Sequence, residues 1–150
     1  MDFRLRVLLI EDDDVDAESV YRAAAPYADM LEIIRETNAQ VALSNLRARG
    51  KKPFFQRPYI IVLELNLPGM KGIEFLREVR LDALLATSPI FVLTADDDPL
   101  HRKEVEQHKV LAYVTKSRFF EESPRFIVLL LHYLSHRLKL AIRRQPSAND

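Results

Sequence analysis

The fold of this 150-residue chain is decided by one stretch of its sequence, IIVLELNLPGM at residues 60–70. Four apolar residues run without interruption into Glu64, and the turn-forming pair Pro68-Gly69 follows shortly after. Unbroken apolar runs of this kind are typical of strands that are covered on both faces in a parallel sheet. Because such sheets bind ligands at the carboxyl ends of their strands, we expect Glu64 to face the ligand crevice.

Outward from this stretch, short apolar runs alternate with helical patterns along the chain. The runs predicted as strands cover residues 5–10, 31–35, 59–63, 90–93 and 110–114. The predicted helices cover residues 15–25, 39–48, 73–81, 100–108 and 124–144. Strands that alternate with helices form parallel sheets built from repeated βα units. The sequence therefore predicts an α/β fold, a doubly wound five-stranded parallel sheet with an extended C-terminal helix.

Composition limits the classes of protein to which the chain can belong. With 48% hydrophobic and 29% charged residues it fits one domain, expected over residues 4–144, followed by a disordered polar tail at 145–150. The 22 basic and 22 acidic residues cancel, so no global charge favours nucleic acid or an anionic membrane. Cysteine is absent, which excludes disulfides and thiolate sites. The sequence has no signal-peptide pattern and no membrane-length apolar run, so we expect a cytoplasmic protein.

Polar side chains follow the strands that meet at the predicted crevice. Four consecutive acids, residues 11–14, follow the first strand, Glu64 ends the third, and Thr94 and Lys116 follow the fourth and fifth. Three carboxylates brought together cannot all stay ionised in a partly desolvated pocket unless a cation neutralises them. Either a divalent metal or Lys116 must therefore lie among them, and ligation by oxygen alone suits Mg²⁺.

Simpler structural roles account for several other polar residues. Asp13, Asp14 and Asp16 fit the N-cap and first turn of a helix, where the helix dipole favours acids. The acidic run at residues 96–98 fits a solvated cap of the fourth helix in the same way. The four histidines have no spacing typical of a metal site or of a nucleophile-base pair. We expect them on the surface or on helix flanks.

Taken in this order, the strand-end signatures over residues 5–132 resemble the receiver domain of two-component response regulators. The resemblance implies a flavodoxin-like receiver fold and a role in two-component phosphorelay signal transduction. It assigns an Mg²⁺ site to Glu11, Asp12, Glu64 and the backbone carbonyl of Asn66. It assigns phosphoryl sensing and switching to Thr94, Tyr113 and Lys116, although Tyr113 also fits a plain core aromatic.

Two departures from the family pattern bear on function. Most receivers have a cis proline after the lysine, whereas Ser117 follows Lys116 here. This serine, with an insertion at residues 50–58, resembles single-domain regulators that accompany bacterial phytochrome kinases, which implies a sensor histidine kinase, such as a bacteriophytochrome, as partner. The second departure is Glu64, which occupies the position of the family's phosphoacceptor aspartate. Its extra methylene moves the carboxylate roughly 1.5 Å farther into the pocket, and positioning errors of about 1 Å cost on the order of a hundredfold in rate.

From these features we expect a stand-alone, atypical receiver that is not an enzyme and acts by protein-protein interaction. Glu64 should form an ion pair with Lys116, and it should either imitate the phosphorylated state in part or only fill the acceptor's place. Two alternatives stay open at this point. One is an Mg²⁺-dependent receiver that still accepts phosphate from a histidine kinase, and the other is a non-switching structural dimer.

The last predicted helix is richer in apolar residues than one buried stripe requires. The residues that extend around the helix, beyond the stripe expected to cover the sheet, include Leu129, Tyr133, Leu140 and Ile142. Because an apolar face of this kind usually has a partner, we predict a homodimer formed through it. Basic residues near its end fit the negative end of a helix and have no accompanying nucleic-acid motif, so DNA binding is not expected.

Overall fold

A computed structural model describes residues 4–48 and 59–143 of the chain. Its strands are β1 Leu5–Ile10, β2 Leu31–Glu36, β3 Tyr59–Leu63, β4 Ile90–Thr94 and β5 Ala112–Thr115. All neighbouring strands pair in parallel, in the order β2-β1-β3-β4-β5. The prediction of a doubly wound five-stranded parallel sheet is confirmed.

Burial of the strands follows their place in the sheet. Every residue of the central strands β3 and β4 is buried, and β1 is exposed only at its first residue, whereas the edge strands β2 and β5 are partly exposed. This explains why the first, third and fourth apolar runs are nearly continuous. The strand order reverses between β1 and β3, whose last residues Ile10 and Leu63 are paired in register. Such a reversal opens a crevice at the carboxyl ends of the two strands.

In residues 4–48 and 59–143, six α-helices pack on the two faces of this sheet. They are α1 Asp14–Ala24, α2 Ala39–Arg47, α3 Gly72–Leu81, α4 Pro99–Glu106, α5 Lys116–Glu121 and α6 Ser123–Arg143. The predicted cap roles are confirmed at two helices, because Asp13 Oδ1 accepts from the Asp16 N–H at 2.9 Å and Asp98 Oδ1 accepts from the Leu100 N–H at 2.9 Å. These caps satisfy N–H groups that the first helical turn leaves without a partner.

Three features differ from the sequence prediction by more than a shift of one residue at an element's end. β5 begins at Ala112 and not at residue 110, because Lys109, with a φ of 57°, turns the chain before the strand. α4 ends at Glu106 and not at residue 108, since the His108 N–H bonds to the Val105 carbonyl in a closing turn. The short helix α5 was not predicted, and the residue before it, Thr115, makes no side-chain cap that would have marked its start.

Each face of the sheet has its own hydrophobic core. One core joins the sheet to α2, α3 and α4 and includes Phe75, while the other joins it to α1, α5 and α6 and includes Phe119. Phe126, Ile127 and Leu130 of α6 are buried in the second core, as the helical spacing predicted. None of the helices in residues 4–48 and 59–143 is long and apolar enough to cross a membrane. The predicted insertion at 50–58 and the predicted tail at 145–150 lie outside the described residues.

Candidate functional site

Two buried glutamates lie side by side at the carboxyl edge of the sheet. Glu11 follows β1, and Glu64 follows β3, the neighbouring strand. Their backbone N–H groups continue the sheet ladders, that of Glu11 to the Glu36 carbonyl and that of Glu64 to the Ile10 carbonyl, each at 3.0 Å. The two residues are only 2% and 3% exposed. Both acids therefore lie at the point where the strand order reverses.

The ammonium group of Lys116 lies between three carboxylates from three different parts of the chain. Its Nζ is 2.6 Å from Asp16 Oδ2, 2.7 Å from Glu64 Oε2 and 3.0 Å from Glu11 Oε2. Lys116 is the first residue of α5, so the end of β5 delivers it to the site. Of the two cations that the sequence allowed among the acids, the lysine is in place, and the predicted ion pair between Glu64 and Lys116 is present.

Both oxygens of the Glu64 carboxylate contact protein groups. Oε1 accepts hydrogen bonds from Thr94 Oγ1 at 2.8 Å and from the Asn66 N–H at 2.9 Å. Oε2 is paired by charge with Lys116 and has no aligned hydrogen-bond donor among the described residues. Thr94 itself is fully buried. The glutamate side chain is thus long enough to reach a hydroxyl on β4 and an ammonium at the end of β5 at the same time.

Burial and pairing oppose each other in this cluster. Burial alone would lower the pKa of Lys116, but pairing with Asp16, Glu64 and Glu11 outweighs burial and raises that pKa. Burial raises the pKa of Glu11, and the opposing effects of Lys116 and of the Asp13 N–H do not cancel the rise. The cluster therefore keeps Lys116 charged and favours proton uptake at Glu11.

The predicted metal ligands are not arranged around a common point. Among residues 4–48 and 59–143, no group of three or more acids or histidines is placed to hold a metal ion. The Glu11 carboxylate accepts from the Asp13 N–H at 3.1 Å and also pairs with Lys116, while Asp12 is exposed. Mg²⁺ demands nearly octahedral oxygen ligands. This donor set, gathered around an ammonium, does not fit that ion.

One residue connects the acid cluster with the face formed by α4 and β5. The Asp96 N–H donates to Thr94 Oγ1 at 3.3 Å, and the Asp96 carbonyl accepts from Tyr113 Oη at 2.7 Å. The Asp96 carboxylate pairs with His101 Nδ1 in the first turns of α4. Hydrogen bonds therefore run from Glu64 through Thr94 and Asp96 to Tyr113.

Tyr113 points inward and is 5% exposed. Burial, followed by the negative charge of Asp96, raises its pKa to about 12. The guanidinium of Arg102 lies over its ring, 5.3 Å from the centroid. The tyrosine is therefore neutral at physiological pH and is held by the connection that follows β4. Its role as a switch stays a prediction.

The loop after Glu64 depends on two glycines. Gly69 has a φ of +71°, a conformation that other residues rarely adopt. At Gly72, a Cβ atom would lie 2.6 Å from Leu65 Cα and 2.7 Å from the Glu64 carbonyl oxygen. The Gly72 N–H also donates to the Leu65 carbonyl at 2.9 Å. Gly72 therefore lets α3 begin directly against the backbone that carries Glu64.

Two residues of this site were not predicted from the sequence. Asp16 lies in the first turn of α1, as expected, but its carboxylate also bonds to Lys116, 100 positions away. The available signal was its position three residues after the cap Asp13, since side chains in a helix lean toward its N-terminus and hence toward the strand end. His101 was expected on the surface or on a helix flank, and it lies on α4, partly buried, but its pairing with Asp96 was not predicted.

A second surface, the apolar groove, lies between α6 and the edge strand β5. Leu129, Leu111 and Tyr133 line this groove, and Leu129 is 53% exposed. Part of the apolar helix face predicted from the sequence is therefore uncovered in the monomer. The side chains of Leu140 and Ile142, which were assigned to the same face, lie outside the described part of the structure.

Comparison with known proteins adds information about the family and the fold of this chain. A family model, the response regulator receiver domain, matches residues 7–123. The response regulator Rcp1 of Synechocystis sp. is 32% identical over 115 residues, which cover 75% of this chain and 76% of Rcp1.

Solved structures agree with the sequence comparison. The phosphorylated cyanobacterial phytochrome response regulator RcpA superimposes with a TM-score of 0.74 at 25% identity, over 87% of this chain and 94% of RcpA. The Mn²⁺-bound form of Rcp1 superimposes with a TM-score of 0.68 at 26% identity, over 82% of this chain and 88% of that one.

Proposed function

Because this chain belongs to the response regulator receiver family of two-component signalling, we propose that it is an atypical receiver in which Glu64 takes the contacts of a transferred phosphoryl group. The observation that carries the proposal is the pair of contacts from Glu64 to Thr94, at 2.8 Å, and to Lys116, at 2.7 Å. In the resemblance described above, these two side chains are the ones that would bind the phosphoryl group.

The imitation is partial for a physical reason. A carboxylate has one charge and two oxygens, whereas a phosphoryl group has about two charges and three oxygens. The contacts of Glu64 nevertheless extend through Thr94 and Asp96 to Tyr113, so the surface of α4 and β5 is held in one arrangement. We propose that a partner reads this surface by contact and that the chain catalyses no reaction of its own. A sensor histidine kinase of the bacteriophytochrome type is the proposed upstream partner, supported by the similarity to Rcp1 and RcpA.

The charge that a divalent metal would supply comes, in this proposal, from Lys116. Three carboxylates within 3.0 Å of its Nζ support this assignment. The assignment predicts that Mg²⁺ binds weakly to the wild-type protein. Isothermal titration calorimetry with Mg²⁺ measures this directly, and saturable binding at micromolar concentration would show that the lysine does not replace the metal.

Incubation with acetyl phosphate and Mg²⁺, followed by intact-mass measurement, tests the central claim. The wild-type protein should gain no phosphate, because the Glu64 carboxylate is displaced along its side chain and both of its oxygens contact protein groups. Glu64→Asp should accept phosphate, and Glu64→Gln is the matched control that should not. A stoichiometric adduct on the wild type that disappears in Glu64→Gln would contradict the proposal and support the phosphate-accepting alternative.

We also propose that the apolar groove beside α6 mediates a homodimer. The exposed Leu129, next to Tyr133 and Leu111, supports this interface. Light scattering of the double variant Leu129→Asp/Tyr133→Asp should give the monomer mass, while the wild type gives the dimer mass. Val41→Asp, at an exposed apolar residue of α2, is the control and should stay dimeric. A monomeric wild type, or a double variant that stays dimeric, would reject this interface.

A further inference from the structure

We infer that Asp16 is the positioning residue for Lys116, and that it holds the ammonium group in place beside Glu64 and Glu11. Asp16 Oδ2 makes the shortest of the three contacts to Lys116 Nζ, at 2.6 Å. The contact is also a direct hydrogen bond from the ammonium to the carboxylate. This inference rests on the proposed function, because it explains what keeps Lys116 in its place beside Glu64.

The backbone of Asp16 is fixed by the start of α1, independently of the contact between its side chain and the lysine. Its N–H is capped by Asp13 Oδ1 at 2.9 Å, and the carbonyl of Asp13 accepts from the Ala17 N–H at 3.0 Å. Acids in the first turn of a helix are favoured by the helix dipole. The Asp16 side chain is 31% exposed, against 3% for Glu11 and for Glu64. Asp16 therefore keeps part of its hydration and holds Lys116 at a smaller desolvation cost than the two buried glutamates.

The contacts of Asp16 and Glu64 with the lysine differ in kind. Asp16, Glu64 and Glu11 each bring one carboxylate oxygen within 3.0 Å of Lys116 Nζ. Glu64 Oε2 is paired with the ammonium by charge and has no aligned donor among the described residues, whereas Asp16 Oδ2 accepts a hydrogen bond from it at 2.6 Å. Asp16 also ties the first turn of α1 to the start of α5 across the face that both helices share. Without Asp16, the lysine would keep Glu11 and Glu64 but lose its tie to α1.

The reactivity of Lys116 toward an acetylating reagent, measured by peptide mass spectrometry over a range of pH, tests this inference. In Asp16→Asn the pKa of Lys116 should fall, because a neutral amide favours the charged ammonium less than a carboxylate does, and the rate of acetylation at neutral pH should rise about tenfold. Asp14→Asn is the matched control, since Asp14 lies in the same helical turn and pairs with Arg35 and not with Lys116. Asp16→Glu should restore most of the wild-type protection.

Several outcomes would overturn the inference. Equal acetylation rates in Asp16→Asn and the wild type would do so, as would an equal rise in Asp14→Asn. Circular dichroism melting of each variant separates a change at Lys116 from unfolding. If Asp16→Asn does not fold, the ¹⁵Nζ resonance of Lys116 in the wild type decides, because the pKa of Lys116 should lie above the ordinary value of a lysine, and an ordinary value would overturn the inference. Failure of the proposed function is seen separately, as phosphorylation of wild-type Glu64 by acetyl phosphate.

Discussion

Two cations lie at opposite edges of the same sheet, and they are held in opposite ways. Lys116, at the carboxyl edge, lies within 3.0 Å of three carboxylates. Arg80, at the amino edge, donates hydrogen bonds, within the described part of the chain, only to backbone carbonyls, those of Ala86, Ser88, His108 and Lys109, at 2.7 to 3.3 Å. Burial lowers the pKa of Arg80 with no opposing carboxylate among the described residues, whereas pairing raises the pKa of Lys116.

The difference between the contacts of Arg80 and those of Lys116 distinguishes the part of the sheet that supports the fold from the part that forms the candidate site. Backbone carbonyls carry no net charge, so Arg80 joins the segments before β4 and β5 whatever the ionisation of nearby groups. Around Lys116 every contact is between charged groups, so the removal or addition of one charge alters the balance of the cluster. The amino edge therefore fixes the fold, and the carboxyl edge is where electrostatics can alter the state of the protein.

Replacing Lys116 with methionine should have the largest effect, because three acids would be left without their cation. Removing one partner of a buried ion pair costs about 3 to 5 kcal/mol, so we expect a loss of that order in the free energy of unfolding, measured with urea at neutral pH. Mg²⁺ should restore part of the loss, since oxygen ligands would then be available to it. Lys103→Met, at an exposed lysine, is the control, and an equal loss in both variants would remove the special status of Lys116.

The pH dependence of this loss has a defined sign. Pairing raises the pKa of Lys116 above its ordinary 10.5, so its stabilising contribution is fully present below 10.5 and is lost as pH rises through the raised value. The difference between the wild type and Lys116→Met should therefore stay constant between about pH 7 and about pH 9. A difference that shrinks steadily over this range would show that the lysine titrates too early for the proposed pairing.

Arg80→Met should have the next largest effect, about 2 to 3 kcal/mol of unfolding free energy for several charged hydrogen bonds. The loss should not vary with pH near neutrality, and acetylation of Lys116 should be unchanged. Arg77→Met removes a neighbouring arginine that pairs on the surface with Glu104, and it should cost much less. If Arg80→Met exposed Lys116 to the reagent, the two edges would be coupled and the contrast between them would fail.

Glu11→Gln should have a smaller effect, and one opposite to that expected from the loss of an ion pair. Burial raises the pKa of Glu11 above 4.5, so its contribution to stability is present below 4.5 and is lost as pH rises through the folded value. The neutral variant should therefore match or exceed wild-type stability at pH 7, by up to about 1 kcal/mol.

Urea unfolding at neutral pH and near pH 4 checks this prediction. The difference in stability between the variant and the wild type should vanish near pH 4, and Asp12→Asn is the exposed control. A marked loss in Glu11→Gln at neutral pH would mean that the pairing with Lys116 outweighs burial.

The smallest effect is spectroscopic and concerns Tyr113. Its phenol should ionise with a pKa of about 12. Titration by ultraviolet absorbance should give a late step that is missing from Tyr113→Phe. Tyr21→Phe, at an exposed tyrosine, should leave that step in place. If the late step survived in Tyr113→Phe, the inward position of Tyr113 would be wrong.

The bounds of the central strands could be predicted closely from the sequence, and those of the edge strand β5 less well. The bounds of β1 and β3 agree with the predicted runs at 5–10 and 59–63 residue for residue. Burial on both faces leaves an unbroken apolar run there, so the pattern and the strand coincide. At the edge, Val110 and Leu111 continue the apolar run of β5 although the strand has not begun, because a partly covered edge does not require burial of each residue.

The site was predictable to the level of which loops meet, and not to the level of which side chains touch. Parallel strands bring Glu11, Glu64, Thr94 and Lys116 to one edge whatever the details. Which acid of the first turn of α1 binds the lysine depends on where α1 begins, because the cap at Asp13 turns Asp16 toward the strand end. A shift of the cap by one residue would present a different side chain, and sequence patterns locate caps less accurately than that.

The close approach at Gly72 has a consequence for how this protein tolerates mutation. A saturation library scored for folding and partner contact should lose nearly every substitution at position 72 and at Glu64, yet the two positions fail for unrelated reasons. At 72 the obstacle is the backbone of Glu64 and Leu65, 2.6 to 2.7 Å from any added carbon. No second-site change of charge among the acids would rescue it. Suppressors of a Gly72 variant should therefore be absent from the acid cluster, whereas suppressors of a Glu64 variant should be concentrated there.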